Sequence, residues 1–405
     1  MKGLISGVCL TAALGLSSAQ AANQEIRAKF QPDSSQPNKN EFVNQTPNSG
    51  YCATYPAECE RYGMFSIQTP IRFDSNRPLP VGEPVGVRVP ADWRQLTVTH
   101  RDTGETATVE VRISGIGSTY VLSQSAASLV GVTDILEGHQ KLWGSSWVNA
   151  PSPCLVSGVG AYTPATYRFF WRTPVQQTCR KQAAYGIPQM SFNGLDIAYE
   201  LRTPNPLGMS SGEYTGSLTY TLGPSPGFDG FEMGSLVPDD NALTLDFVLD
   251  VQHTLKAELP PGGDKVVMEP AGGWQRWLES GQKPVEIYRD QMFFLSASSR
   301  FKVMLVCRWS TGGPCIFGNG QGGSSEFEVR LTVPGGIAGP GGADGWTGTL
   351  MHNTWIGPFE PARYIDRKAG VLRFLVPRQG QAIDRLLNYG GTFQGGVTII
   401  LDSEV

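Results

Sequence analysis

The amino-acid sequence predicts an all-β protein with two tandem β-sandwich domains, on three observations. Residues 212–222 and 391–401 share the pattern G-x-[YF]-x-G-x-[LV]-T-x-x-L, and 391 − 212 = 179 residues separate them, about the length of a domain. In both copies alternate residues are apolar, as in a strand with one buried face. The 405 residues include 49 Gly and 29 Pro and few long amphipathic stretches, a composition typical of sandwiches.

The first 21 residues are predicted to be a secretory signal peptide. Lys2 gives a cationic start, residues 4–16 are mostly apolar, and Ala19-Gln20-Ala21 supplies the small residues for cleavage after Ala21. The apolar run is too short to span a bilayer, so a membrane anchor is the weaker interpretation. We therefore expect export by the Sec route to the periplasm.

Cysteine usage agrees with export to an oxidising compartment. Of seven cysteines, Cys9 would leave with the signal peptide, and the others could pair in many ways. Proximity in the sequence favours three local disulfides, and no C-x-x-C spacing indicates a zinc or redox site. The favoured pairs are Cys52–Cys59, Cys154–Cys179 and Cys307–Cys315.

Net charge argues against two classes of partner. The formal charge of the chain is −4, and loss of Lys2 with the signal peptide makes it −4 − 1 = −5. A mildly acidic protein is not expected to hold nucleic acid or an anionic membrane as its main partner. No nucleic-acid partner is therefore predicted.

The first domain is predicted over residues 22–252 and the second over residues 253–405. Alternation across residues 243–251 stops just before His253 and then restarts, which places the boundary there. Residues 22–50, rich in Asn, Gln, Ser and Pro, are predicted to be an irregular lead-in to the first domain.

Strands are predicted wherever apolar and polar residues alternate, and a turn or two of helix is predicted at residues 381–388. The predicted strands of the first domain cover residues 86–89, 96–98, 106–113, 120–122, 167–171, 195–201, 212–222 and 243–251. Those of the second cover residues 254–259, 292–295, 301–309, 327–333, 371–376 and 393–401.

Four stretches give the chain a resemblance to a known family. They are TCRKQ at 178–182, PLGMSSGEYTGSL at 206–218, LKAELP at 255–260 and GTFQGGVTI at 391–399. From residue 154 onward the chain resembles the minor tip subunits of class 5 fimbriae, the group of cable-pilus initiators and colonisation-factor adhesins. The resemblance implies two immunoglobulin-like sandwiches: an N-terminal adhesin domain and an incomplete, donor-strand-accepting C-terminal pilin domain.

In that family a periplasmic chaperone first supplies the missing strand, and the N-terminal extension of the next subunit supplies it in the fibre. The resemblance therefore implies a periplasmic chaperone, an outer-membrane usher and a major pilin subunit as partners, at a fimbrial tip on the cell surface. It also implies a donor-strand groove. The residues expected to border this groove are Phe393, Val397, Ile399 and Leu401.

A tip position also follows from the lead-in. A shaft subunit needs an N-terminal strand of alternating apolar residues to fill the groove of its neighbour. Ile26 and Phe30 are too few for such a strand before the polar residues and prolines begin. The chain is therefore expected at the distal end of a fibre.

The receptor site of the family does not transfer to this chain. In colonisation-factor adhesins a cluster of arginines on the distal domain carries cell binding, two of them on the strand after the one corresponding to residues 218–222. Residues 223–234 contain no arginine here. An identical receptor is therefore not expected.

Candidate receptor-binding residues come instead from basic and aromatic clusters of the first domain, which suit an acidic glycan such as sialic acid. Alternation places Arg168 and Arg172 on one face of a strand, opposite Phe169 and Trp171. The competing interpretation is an ordinary strand with core aromatic rings and solvated arginines. The candidates are Arg168, Arg172, Arg180, Trp143, Trp147 and Arg61.

No enzymatic activity is predicted. Residues 208–212 match the nucleophile motif G-x-S-x-G, but that motif requires a following helix and a strand follows here. None of the four histidines lies at a metal-ligand spacing from another His or Cys. We therefore predict no catalytic residue, metal or cofactor.

The sequence favours a host-surface glycan adhesin at a fimbrial tip that also initiates chaperone–usher assembly. Two alternatives stay open: an assembly initiator that binds no receptor, and a secreted glycan-binding β-sandwich unrelated to pili. The two pilus interpretations require an open apolar groove beside the terminal strand. The third does not require one.

Overall fold

The computed structural model describes residues 22–223, 230–377 and 381–403, so the predicted signal peptide and Cys9 lie outside the described residues. The chain is all-β, as predicted, and its helices are short. Residues Ala382–Tyr389 form the helix predicted near the C-terminus. In the three described ranges, no helix has the length and apolar character needed to cross a membrane.

Strands before and after residue 252 belong to different sheets. Before it lie β1 (Ala22–Phe30), β2 (Val43–Asn44), β3 (Ser66–Thr69), β4 (Phe73–Asp74), β5 (Pro84–Val87), β6 (Arg94–His100), β7 (Thr106–Leu122), β8 (Leu155–Val156), β9 (Ala161–Tyr162), β10 (Thr166–Arg172), β11 (Cys179–Gln182), β12 (Met190–Arg202), β13 (Gly212–Leu222), β14 (Gly230–Phe231), β15 (Val237–Pro238) and β16 (Ala242–Val251). After it lie β17 (Leu255–Glu258), β18 (Glu269–Pro270), β19 (Ile287–Ala297), β20 (Phe301–Cys307), β21 (Cys315–Gly318), β22 (Ser324–Thr332), β23 (Ile337–Ala338), β24 (Thr347–Leu350), β25 (Trp355–Pro361), β26 (Ile365–Val376) and β27 (Val397–Ser403). The helices are α1 (Tyr51–Thr54), α2 (Pro56–Arg61), α3 (Ala126–Val130), α4 (Ile135–Trp143), α5 (Trp274–Ser280) and α6 (Ala382–Tyr389), with a 3₁₀ turn at Pro206–Gly208.

Buried apolar side chains form two main cores. The first core runs from Ile26 to Val251 in the chain and the second from Ile287 to Ala382. A 14-stranded sheet, whose central order is β15-β4-β12-β7-β6-β13-β16-β1-β2, supplies the first core together with the pair β11-β5. A seven-stranded sheet (β17-β19-β26-β22-β21 with β18 and β24) and a four-stranded sheet (β23-β25-β20-β27) supply the second.

The N-terminal segment is not wholly irregular, so the prediction of an irregular lead-in is wrong for its first nine residues. They form β1, which pairs in parallel with β16 along its whole length. Ile26, Ala28 and Phe30 are each at most 3% exposed in the first core. Two large apolar residues give a weak local signal, and the pairing with a distant strand decides the conformation.

The terminal strand starts later than predicted. Instead of residues 393–401, it spans β27 and pairs antiparallel with β20. A Cβ on Gly395 would lie 2.9 Å from the Cβ of Phe317 and 3.2 Å from Cε1 of the Phe327 ring, so the backbone passes close to both side chains. Gln394 makes only an isolated bridge to Gly318. The first copy of the repeat is strand throughout, whereas the second copy is strand only in its last part.

The three favoured disulfides are present. Cys52–Cys59, Cys154–Cys179 and Cys307–Cys315 have Cα separations of 5.6, 5.8 and 5.4 Å. The first fastens α1 to α2, the second reaches the start of β11, and the third links the end of β20 to the start of β21.

Two shielded histidines predict a loss of stability in mild acid. His139 is fully buried and bonds to the Thr163 carbonyl through Nε2 (2.8 Å), and His253 lies between the Met209 carbonyl (2.8 Å) and the Ser298 hydroxyl (3.0 Å). Burial is the largest influence on both imidazoles and lowers the pKa of each below 6.5.

As the pH falls, the two imidazoles therefore become protonated in the unfolded chain before they do so in the folded chain. The contribution of the neutral, buried histidines to stability is complete above pH 6.5 and is lost as the pH falls below it. We therefore expect the free energy of unfolding to decrease as the pH falls from 7.5 to 5.5, with both histidines contributing to the decrease. Urea unfolding of the native chain and of His139→Gln/His253→Gln between pH 7.5 and 5.5 checks this. Equal pH slopes for the two proteins would contradict the assignment.

Candidate functional site

An apolar groove opens between the two sheets of the second core. Its volume is about 210 Å³. The residues that line it are Ala257, Glu258, Leu259, Phe293, Leu295, Phe301, Val303, Leu331, Val333, Leu372, Ile399 and Leu401. Eleven of these twelve side chains are apolar, so the groove is suited to apolar side chains of a partner.

Two sheet edges border this groove. Among the described residues, β17 pairs only with β19, and β27 pairs only with β20. Each edge therefore presents backbone N–H and C=O groups that no strand of the described chain satisfies, and such edges can template the addition of another strand. An extended segment laid in the groove could hydrogen-bond to β27 or β17 and bury side chains at alternate positions.

The inward face of β27 is incompletely covered. Val397, Ile399 and Leu401 lie opposite Cys307, Leu305 and Val303 of β20 and pack against the second core. The three β20 residues are at most 6% exposed, whereas the three β27 residues are only partly buried. One side of the second core is thus left open along its last strand.

The four residues predicted to border a groove therefore have different positions. Ile399 and Leu401 line it, Val397 packs beside it, and Phe393 lies before the strand. The ring of Phe393 packs edge-on against Phe317 with 5.5 Å between centroids, so its assignment to the groove is wrong. The opposite wall, from β19 and β26, was not predicted, because alternation identifies strands without identifying their neighbours.

Trp143 and Trp147 are core residues, so their assignment to a receptor surface is wrong. They are 3% and 0% exposed. Asp134 caps α4 by accepting the Glu137 N–H (2.7 Å), and the helix delivers Trp143 to the core at its last residue. The Trp147 ring stacks on Trp171 with 5.0 Å between centroids. Neither indole face can reach a ligand at the surface.

Arg168 is engaged within the protein. Its guanidinium donates to the Asp196 carboxylate (3.0 Å) and to the Thr54 hydroxyl (3.2 Å). The Asp196 side chain is only 2% exposed, and burial raises the pKa of its carboxyl, although Arg168 opposes that rise. The ion pair joins β10 to β12 and to α1, and it leaves little of the Arg168 charge for a ligand.

Arg172 also contacts other residues of the chain, near the end of the loop that the Cys52–Cys59 disulfide closes. Its Nε donates to the Val156 carbonyl (3.2 Å), and its guanidinium lies 3.9 Å from the centroid of the Tyr62 ring. Between the two arginines Phe170 is buried under Tyr51, with 4.6 Å between ring centroids. Residues four apart on a strand are roughly 13 Å apart, so these arginines flank the loop and do not meet at one carboxylate.

The remaining two candidates lie apart from these. Arg180 is on β11, whose only strand partner in the described chain is β5, in a two-stranded sheet. Arg61 ends α2, with its side chain 66% exposed and its Nη1 3.7 Å from Glu58 Oε2. The structure therefore does not gather the six candidates into one site. In the part of the chain that the structure describes, no three His, Cys, Asp or Glu residues are placed to hold a metal ion.

Comparison with known proteins gives only distant likenesses. No family model and no curated protein matches the sequence. A chain of a chaperone–tip adhesin complex of CFA/I fimbriae biogenesis is 8% identical, with a TM-score of 0.29 over 95% of this chain and 97% of that chain. A variant of the adhesin CfaE of enterotoxigenic E. coli is 9% identical, with a TM-score of 0.29 over 95% and 93%.

A chain of the CsuC–CsuE chaperone–tip subunit complex of Acinetobacter baumannii is 10% identical, with a TM-score of 0.23 over 94% of this chain and 98% of that chain. Values this low assign the chain to no family and carry no argument about its function. The proposals below rest on the residues of the chain itself.

Proposed function

We propose that this chain is a minor subunit at a fimbrial tip. Its groove accepts a strand first from a periplasmic chaperone and then from the next subunit. An outer-membrane usher assembles it ahead of the major pilin. The observation that carries the proposal is the apolar groove between the free edges of β17 and β27. Each large side chain that a donated strand buries there would contribute about 1.5–3 kcal/mol. No catalytic role is proposed.

The use of β1 supports a distal position in the fibre. Its apolar residues are buried in the first core of its own chain, so β1 is not free to fill the groove of a neighbour. A subunit that accepts a strand but donates none fits the end of a fibre. Immunogold labelling should mark fibre tips, and labelling along the whole shaft would contradict this position.

The test of the groove is expression of the full mature chain in the periplasm with and without a cognate chaperone. We expect soluble chain only with the chaperone, because an open groove and two free edges favour aggregation. A control chain with a donor strand fused after its last residue should be soluble alone. A soluble monomer without chaperone or fused strand would favour the secreted β-sandwich alternative.

For receptor binding we propose an acidic glycan on the host surface, held at the surface around Arg172 and Tyr62. Tyr62 is 38% exposed, and the neighbouring Leu155 and Val156 are 45% and 40% exposed, so a ring, a cation and apolar groups lie together. Rings and guanidinium groups are the side-chain groups that stack on sugars and pair with carboxylates. The initiator-only alternative predicts no such binding.

Tyr62→Ala is expected to weaken adhesion to host cells about tenfold or more with an unchanged unfolding midpoint, since the ring lies outside both main cores. The matched control is Tyr185→Ala, which removes an equally exposed ring, also 38%, elsewhere. Both variants are assayed as chaperone complexes of the full mature chain. Unchanged adhesion by Tyr62→Ala would remove this surface, and absence of adhesion by the native complex would favour the initiator-only role.

A further inference from the structure

One carboxylate joins the beginning of β1 to the beginning of β16. The backbone nitrogen of Ala22 donates to Oδ2 of Asp240 at 2.8 Å, and Oδ1 of the same carboxylate accepts the Ala242 N–H at 3.2 Å. Ala22 is the first residue of β1, and Ala242 is the first residue of β16. Asp240 thus fixes the two parallel strands at their common end.

The strand held in this way completes the first core. Ala22 pairs with Leu243, a separation of 243 − 22 = 221 residues, and the pairing continues through all nine residues of β1. Bringing together strands so far apart in the sequence has an entropic cost, so contacts at the end of β1 help to retain it in the core. β1 also separates β16 from the two-residue strand β2 near the edge of the sheet.

We propose that Asp240 is a binding site for the amino terminus of the processed chain, and that cleavage between Ala21 and Ala22 locks β1 into the first core. Hydrolysis adds water across that peptide bond; the new carboxyl stays on Ala21, and the freed amine of Ala22 takes up a proton. The nitrogen beside Asp240 changes from a neutral amide with one hydrogen to an ammonium with a positive charge. A neutral hydrogen bond thereby becomes an ion pair at the same position.

This inference rests on the cleavage site predicted from the sequence and is independent of the proposed role in a fimbrial tip. It predicts that export and maturation of the first core are coupled. The precursor makes only the neutral contact to Asp240, and removal of the signal peptide strengthens it. The amino terminus of the exported chain should therefore be Ala22, as intact-mass spectrometry of the secreted protein would show.

The experiment compares the full mature chain with a free Ala22 amine against the same chain acetylated at Ala22, which restores a neutral amide, each with a donor strand fused after its last residue. Asp240→Asn is studied in both forms, because Asn keeps the acceptor for Ala242 but not the charge. Hydrogen exchange of the β1 amides is the readout, since it reports local opening of that strand. Acetylation or Asp240→Asn alone should speed exchange about two- to fivefold, the range expected for a partly exposed ion pair.

Together, acetylation and Asp240→Asn should speed exchange no more than either change alone. Asp239→Asn is the matched control, because it changes the neighbouring carboxylate, which accepts from the Arg72 N–H and not from Ala22. Additive effects, equal exchange in the free and acetylated native chains, or a mature chain that starts elsewhere would each overturn the proposal. If Asp240→Asn does not fold, the comparison of the free and acetylated native chains still decides.

Discussion

Ile399→Asp is expected to abolish a stable complex between this chain and the periplasmic chaperone proposed for it. Ile399 lines the groove from β27, opposite the buried Leu305 of β20. A carboxylate at this position removes about 1.5–3 kcal/mol of apolar burial and would itself have to be desolvated when a donated strand covers the groove. Together these effects weaken strand binding by about 100-fold or more.

Co-purification of a tagged chaperone with the full mature chain measures this effect. Thr398→Asp is the matched control, since it places the same charge on the residue just before Ile399 in β27, on the exposed face of the strand. We expect normal recovery of the control complex and loss of the Ile399→Asp complex. Undiminished recovery of the Ile399→Asp complex would refute the groove as the site of chaperone capture.

Arg168→Ala is expected to lower the free energy of unfolding by about 3–5 kcal/mol, because it leaves a buried carboxylate without its cation. The Asp196 side chain is 2% exposed, and its Oδ2 lies 3.0 Å from Arg168 Nη2. Urea unfolding of the full mature chain with a donor strand fused after its last residue measures the change. Arg172→Ala, which breaks only partly exposed contacts, should cost about 1 kcal/mol or less.

The pH dependence of the Arg168→Ala variant distinguishes a buried charge from lost packing. Burial raises the pKa of Asp196, so the folded state holds this proton more tightly than the unfolded state does. The resulting destabilisation is greatest above the raised pKa and shrinks as the pH falls through it. Asp196→Asn in the Arg168→Ala background should recover much of the loss at neutral pH. A loss of unfolding free energy that does not depend on pH and is not reduced by Asp196→Asn would contradict this account.

This result also bears on any adhesion assay. If Arg168→Ala loses adhesion, the loss of the ion pair beneath α1 is sufficient to explain the result, and a direct receptor contact by Arg168 does not follow. The ion pair is hidden in the sequence because its members, on β10 and β12, are 28 residues apart and carry no shared motif. Alternation correctly indicates that Arg168 and Arg172 share a face of β10, but it does not reveal that the disulfide loop covers Phe170 between them.

Features that depend on local pattern can be read from the sequence. Alternation over residues such as 243–251 predicted strands and hence the all-β class, and short separations favoured the three disulfides. Both properties arise from neighbours along the chain: the period of two comes from the pleat of a strand, and a short loop is easily closed. The extent of β27 is one departure from the local pattern, and it occurs where Gly395 passes close to the Phe317 side chain.

Which strands lie side by side depends on contacts between distant residues, and the candidate sites depend on that pairing. β1 is a strand because β16 offers it an edge, and the groove exists because β17 and β27 border one gap without pairing across it. The residue type of Trp147 does not reveal whether its ring lies in the core or on the surface. The ring is buried because it packs against residues distant in the sequence, such as Trp171 of β10. Contacts between distant residues set burial and pairing, and period-two alternation carries no information about which distant strand will be the neighbour.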